Sequence, residues 1–460
     1  MQHPFDIAAD LDTPVSAYLK LAPLGPRFLL ESVEGGERLG RYSFIGFGDS
    51  LEVRIEGSEF RVGDDVRPIP DQTAQLLDAF REALRQVRHP LPAVPGLPFT
   101  GGLVGVTSFE MAGRFENLRV PAAGNGELEA HYLAPASLLV FDHVSRRVAL
   151  LHAGSEEERV ALRREVVTLL RGPLPPRADA RGHSAPVPSL ERSDFLAGVE
   201  RTQAHITAGD VYQLVLSIRF EGRCEIPPFE AYRALRLLNP SPYMYFLDLG
   251  GVSVVGSSPE ALVRLEGREA QLRPIAGTRP RGADAAEDEA LAADLLADPK
   301  ENAEHIMLVD LARNDLGRVA VPGTVRVEPF RTIERYSHVM HIVSGTRGVL
   351  APERDAFDLF AAAFPAGTVV GAPKIRAMEI IHELEPVRRG IYAGTAGYFG
   401  IGGSMDQAIA IRTLVFQDGG YAYQAGAGIV ADSIPEREHE EILAKSAALE
   451  AALRLAEEGL

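Results

Sequence analysis

The chain is poor in the residues that make several chemistries recognisable. It has one cysteine, Cys224, and no tryptophan in 460 residues. One thiol excludes an internal disulfide framework and any Cys-x-x-Cys metal or redox pair. Lysine is scarce too, occurring only at 20, 300, 374 and 445, so 43 of the 47 basic residues are arginine. Codon bias can produce this. Under such a bias, a retained lysine is a candidate for a place that needs a compact ammonium rather than a planar fork. Positive charge is in deficit overall, with a net charge of −17. That argues against nucleic acid as a main partner, because a phosphate backbone rewards clustered Lys and Arg. It leaves room for an anionic small molecule, which responds to local charge. No uncharged apolar run approaches the ~18 residues of a membrane-spanning helix. The opening residues show neither a basic n-region nor an apolar h-region, so no secretory signal is expected. The expectation is a soluble, cytoplasmic protein. There is no HExxH, no GK[ST] ending to a glycine-rich loop and no Ser-His-Asp signature, so zinc peptidase, P-loop and triad hydrolase readings lack support.

What remains is ordinary globular composition, 46% hydrophobic and 24% charged. At roughly 150 residues per domain the length suggests about two to four domains. The clearest seam is 171–190, rich in Pro, Gly, Ala and Arg, which reads as a linker or long loop. It divides an N-terminal α+β region, 1–170, from a region at 191–460. In the second region strands come in runs joined by short turns, and helices fall between the runs. That pattern predicts an α+β fold, with mostly antiparallel sheets and helices packed outside. Helices are expected at SDFLAGVERTQAHITA, PKENAEHIMLVDLARNDLG, DAFDLFAAAF, PKIRAMEIIHELE and the C-terminal REHEEILAKSAALEAALRLAEE. Strands are expected at VYQLVLSIRF, IYAGTAGYFG, QAIAIRTLVFQ and YAYQAGAGIV.

Several constellations stand out. Glu301, Glu304 and Leu308 share one helix face, and Glu438, Glu441 and Lys445 share another. Carboxylates from two helices over one pocket suit Mg²⁺, which takes one or two carboxylates and keeps waters for an anionic substrate; acidic helix faces are more often simply solvated. FPAGTVVGAPKIRAMEII runs from a glycine-rich turn into a helix at Pro373. It is either an anion site or an ordinary loop-to-helix junction. In QAGAGIV, Gly426 and Gly428 permit close approach to a ligand, or make a bulge. Gly277 and Thr278, ahead of Arg279 and Arg281, either hold a carboxylate or make a turn. Arg412 falls in an apolar run, where a charge needs a partner: a substrate carboxylate or a structural acid. His338 and His341 sit in an apolar context.

Taken in order, IAGTRPRG, ENAEHIMLVDLARNDLGRV, RYSHVMHIVSGTRG, FPAGTVVGAPKIRAMEII, YAGTAGYF and AGAGIVADSIPEREHEE resemble the chorismate-utilising enzyme family over about residues 193–447. LLES at Leu29–Ser32 and NPSPYM at Asn239–Met244 resemble its anthranilate synthase component I branch. The resemblance implies two packed antiparallel sheets with helices outside. It implies Mg²⁺ on Glu304 and Glu441, with Glu438 a neighbouring acid. Chorismate contacts are implied for Gly277, Thr278, Tyr392, Arg412, Gly426, Ala427 and Gly428, with Lys445 adding positive charge. Glu260 in GSSPE matches the general acid for the departing C4 hydroxyl, and His341 and Thr368 match residues tied to pyruvate elimination.

Two positions discriminate within that family. Isochorismate-forming members place a lysine base where this chain has Gln213, and aminodeoxychorismate synthases carry a lysine nucleophile where it has Ala276. Both differences imply ammonia as the nucleophile at C2 and anthranilate as the product. With no nucleophilic-cysteine elbow here, glutamine use implies a separate amidotransferase subunit and a hetero-oligomer. Ser32, Pro242, Tyr243 and Met244 match a tryptophan feedback site. The competing readings are an aminodeoxychorismate synthase, a synthase that stops at aminodeoxyisochorismate, and a non-catalytic regulatory subunit that keeps the fold.

Overall fold

The computed structural model describes residues 4–33, 40–116, 118, 128–176, 182–335 and 339–460. The strands that position the site are β1 (Pro26–Glu31), β2 (Gly102–Thr107), β3 (Gln213–Arg223), β4 (Tyr243–Asp248), β5 (Val252–Ser258), β6 (Ala261–Glu266), β7 (Ile275–Pro280), β8 (Val339–Val343), β9 (Thr395–Gly400), β10 (Met405–Ile409), β11 (Thr413–Gln417) and β12 (Gly420–Ile429). The helices that matter are α1 (Pro299–Gly317), α2 (Lys374–Leu384) and α3 (Pro435–Glu458).

One antiparallel ladder runs β1-β4-β5-β11-β12-β3. A second runs β2-β9-β10-β6. The strands Tyr42–Glu56 and Leu128–Asp142 pair with each other and with β1 and β2, which links the two ladders into one hydrogen-bonded network of 21 strands among the described residues. β7, β8 and Thr332–Arg335 form a separate three-stranded sheet. The α+β expectation therefore holds. The 171–190 segment does not separate one sheet from another, since β1 pairs with β4 and β2 with β9 across it.

The strands read as continuous apolar runs because both of their faces are covered. In β4, Met244 and Phe246 enter one buried cluster, while Tyr245 and Leu247 enter another. In β5, Val255 joins the first and Val254 the second. A period of two thus feeds two cores at once.

The helices lie where their periodicity and caps place them. The Asp298 side chain accepts from the Lys300 and Glu301 amides at 2.9 and 3.3 Å, which starts α1 and contributes about 1 kcal/mol. Gly209, at φ +83°, closes Arg192–Ala208 in the left-handed region, as a glycine past a helix end should.

Two expectations are corrected. QAIAIRTLVFQ is not one strand: it breaks into β10 and β11, and Arg412 lies between them at φ +51°. A non-glycine residue held there costs on the order of 1–3 kcal/mol. IYAGTAGYFG becomes extended only from Thr395, because Ala393 takes φ +62° and turns the chain first.

Candidate functional site

The site grows from the β3–β12 pair, in which Val215 lies opposite Gly428, Leu216 opposite Ala427 and Ser217 opposite Gly426. Glycine at 426 is a spatial requirement. A Cβ there would stand 2.7 Å from the Tyr392 hydroxyl and 2.9 Å from the Val215 side chain, so the backbone comes close enough to leave no room for a methyl group. The Gly426 carbonyl accepts from Lys445 Nζ at 2.9 Å, and Lys445 pairs with Glu441 at 2.7 Å one turn earlier on α3. That pair is about half exposed, so it contributes little to stability. At the other end of the pair, Gln213 Nε2 donates to Glu304 Oε1 at 3.1 Å. Gln213 is buried, and its Oε1 has no hydrogen-bond partner among the described residues.

Glu260 follows β5. Its carboxylate Oε1 accepts from the Thr368 hydroxyl at 3.0 Å, in a narrow cavity of about 40 Å³ that Gly367 and Leu308 also line. Burial pushes the Glu260 carboxyl up to about 8; the Thr368 hydrogen bond and the charges of Arg412 and Lys445 pull the other way. Desolvation dominates because the neutral acid loses far less on leaving water than the carboxylate. The acid is thus held protonated near neutral pH. Arg412 is tied to the same strand, since its carbonyl accepts from the Ser257 amide at 3.1 Å, three residues before Glu260.

The third element is β7–β8. His341 lies opposite Thr278, with Nδ1 3.1 Å from the Thr278 hydroxyl and 2.9 Å from the Gly277 carbonyl oxygen. A carbonyl only accepts, so Nδ1 carries the proton. Gly277 sits at the bulge between Ala276 and Thr278 with φ +65°, and a Cβ there would approach the Glu301 carboxylate to 3.0 Å.

One face of α1 touches all three elements. Glu301 faces Gly277, Glu304 bonds Gln213, and Leu308 lines the Glu260 cavity. The i, i+3, i+7 spacing places them on one side of the helix. The acids of α1 and α3 come in close pairs. Burial and the neighbouring Glu304 raise Glu301. Burial raises Glu438, and Glu441 adds to this against the pull of Ser433. Among the described residues no three acidic, His or Cys side chains already stand as a metal cluster.

A second group lies at the β1–β4 edge. Met244 is opposite Glu31, and the Val33 amide donates to the Ser241 carbonyl at 3.4 Å, which sets Ser32 beside Pro242, Tyr243 and Met244. The Ser32 hydroxyl is buried without a partner among the described residues, and the Tyr243 hydroxyl donates to Asp406 at 3.0 Å.

The junction before α2 is structural. Lys374 is buried on Asp315, at 3.0 Å, and also donates to the Ala363 carbonyl. Gly371 and Ala372 pair with Leu214 and Gln213 of β3. Lys374 is thus held in an ion pair with Asp315, and the turn docks on β3 as a loop-to-helix junction. His338 lies outside the described residues. Sequence reading passed over Glu385 and Arg389, whose side chains are 3% and 1% exposed and 2.7 Å apart. The signal was an acid and a base four residues apart just past the end of α2, which look like any solvated pair until burial is known.

The chain is similar to known proteins along most of its length. The chorismate binding enzyme family matches residues 25–451. The chain belongs to that family. It is 47% identical to anthranilate synthase component 1 of Thermus thermophilus, with 98% of this chain and 97% of that one covered. It is 45% identical to the component 1 of Pseudomonas putida, over 98% and 94%. Among solved structures, anthranilate synthase component I of Streptococcus pneumoniae superposes with a TM-score of 0.80 at 37% identity, over 89% of this chain and 92% of that one. No helix among the described residues is long and apolar enough to cross a membrane.

Proposed function

We propose that the chain is the large subunit of an anthranilate synthase, acting in the cytoplasm in tryptophan biosynthesis. The observation that carries this reading is the α1 face, which sets an acidic pair, Gln213 and the cavity of a protonated Glu260 along one line. Chorismate contacts Gly277, Thr278, Tyr392, Arg412, Gly426, Ala427 and Gly428, with Arg412 forking onto the enolpyruvyl carboxylate. Ammonia forms a bond to C2 while the C4 hydroxyl leaves with the Glu260 proton as water. Loss of pyruvate, to which His341 and Thr368 contribute, then gives anthranilate. Gln213 and Ala276 place no amine beside the ring, which favours free ammonia over a water-activating or covalent lysine. An amidotransferase subunit supplies that ammonia from glutamine.

Glu304 and Glu441 would hold Mg²⁺, with Glu438 beside them. The donor set fits, because hard carboxylate oxygens crowded by like charge suit a hard cation. Bound there, Mg²⁺ would neutralise the ring carboxylate of chorismate and fix its position. Purified protein given chorismate, MgCl₂ and a high ammonium concentration at mildly alkaline pH should develop anthranilate fluorescence. Consumption of chorismate to a non-fluorescent product would sink this reading in favour of an intermediate-releasing or aminodeoxychorismate synthase.

Tryptophan is the feedback inhibitor in this reading, bound at Ser32, Pro242, Tyr243 and Met244. The Ser32 hydroxyl, buried without a partner among the described residues, supports a polar ligand there, since such a group costs about 1–3 kcal/mol when left unsatisfied. Filling that space with Ser32→Arg should raise the tryptophan concentration for half-inhibition by more than about tenfold, the loss of roughly 1.4 kcal/mol or more of binding, with basal turnover retained. Unchanged inhibition would remove the assignment.

A further inference from the structure

The buried Arg389–Glu385 pair takes no part in the chemistry proposed above, yet it ties together three segments that do. Arg389 donates to both Glu385 oxygens, at 2.7 and 2.9 Å. Its other guanidinium hydrogens reach the Val369 carbonyl at 2.7 Å and the Val215 carbonyl at 2.8 Å. Val369 follows Thr368, and Val215 lies in β3 two residues after Gln213. Glu385 in turn accepts from the Ser217 amide at 2.9 Å and the Ser217 hydroxyl at 2.6 Å, and that hydroxyl accepts from Gln424 Nε2 of β12 at 2.8 Å. The guanidinium carbon lies 5.6 Å from the Tyr392 ring centroid. The base of the side chain is fixed as well: Glu110 accepts from the Arg389 amide at 2.9 Å.

Stability alone is a weak reason to keep such a pair. Two buried charges lose so much hydration that a well-packed apolar pair often serves the fold equally well. A planar fork with five donors does what an apolar side chain does not, holding two carbonyls and a carboxylate at fixed relative positions.

We infer that Arg389, locked by Glu385, is a positioning residue for the proposed reaction: it pins the Thr368–Val369 turn to β3, and so keeps the Thr368 hydroxyl on Glu260 and β3, which carries Gln213, in register with β12. Arg389 touches no reacting atom in this arrangement and acts through Thr368. The inference rests on the reading of Glu260 and Thr368 given above.

The test is a double-mutant cycle on the full chain, with chorismate, MgCl₂ and ammonium, reading kcat, KM and melting temperature. The variants are R389K, T368V and R389K/T368V. R389K keeps the charge and loses the fork. Displacing a distant support by an ångström can cost about 100-fold, so R389K should lower kcat by at least about tenfold while chorismate KM moves less than threefold. In the T368V background the same change should cost less than about threefold, because coupled residues are not additive. A purely structural role would instead give additive losses in the double variant, and that result, or an R389K kcat within twofold of wild type, would overturn the inference alone. Wild-type turnover by T368V would overturn the Glu260–Thr368 reading and this role with it. If R389K does not fold, S217A leaves the ion pair intact and removes one tie to β3. It should lower kcat severalfold and non-additively with T368V, and an unchanged or additive kcat would overturn the inference.

Discussion

Glu260→Gln should lower kcat by ~10²–10⁴-fold, the usual worth of a positioned general acid, and leave the melting temperature unchanged or raised. The stability expectation follows from the same burial that raises the acid to about 8. An uncharged amide of equal size suits a site that already disfavours the carboxylate. The pH profile supplies the sharper check. Below about 8 the folded protein holds Glu260 protonated and able to donate. Above that it ionises and the donor is lost, so chorismate kcat/KM should fall on the alkaline side with a limb assigned to this group. The residual activity of the Gln variant should lack that limb. Near-wild-type turnover, or an alkaline limb that survives the substitution, would remove Glu260 from the acid role.

Glu441→Gln should cost about 100-fold or more in turnover, since charge stabilisation by a bound cation contributes several kcal/mol. It should also weaken Mg²⁺ binding measured calorimetrically on the protein without substrate. Glu441 is about half exposed and paired with Lys445 in a single turn of α3, so its removal should barely move the melting temperature. The substitution also relieves Glu438 of a like charge, so the Glu438 carboxyl should titrate lower in the variant. Unaltered Mg²⁺ affinity would sink the metal assignment even if activity fell.

Much of this was legible along the chain. The α1 and α3 helices carry their own start signals and i, i+3, i+4 faces, and local periodicity is enough to show that Glu301, Glu304 and Leu308 look the same way. Gly426 was visible as a candidate for close approach and Gly277 for a carboxylate site or a turn, though only the structure shows that the Tyr392 hydroxyl and Glu301 are what lie against them. The Arg412 context was misread for a physical reason. A backbone at φ +51° leaves no mark on hydropathy, so two strands and the break between them read as one apolar run. Lys374 was conspicuous for its rarity, but rarity does not separate an anion-binding ammonium from one buried on Asp315.

Composition, local periodicity and side-chain chemistry by themselves settled the α+β class, the helices and the roster of acids, glycines and arginines from which a site can be built. Which of these meet is a matter of non-local pairing. Antiparallel register brings Ser217 to Gly426 and Thr278 to His341 across long stretches of chain. Burial, set by those pairings, decides that Glu260 stays protonated and that Glu385 and Arg389 form an internal clamp instead of a surface ion pair. A carboxylate's chemistry depends on the dielectric and partners around it, and those come from residues far away in the chain.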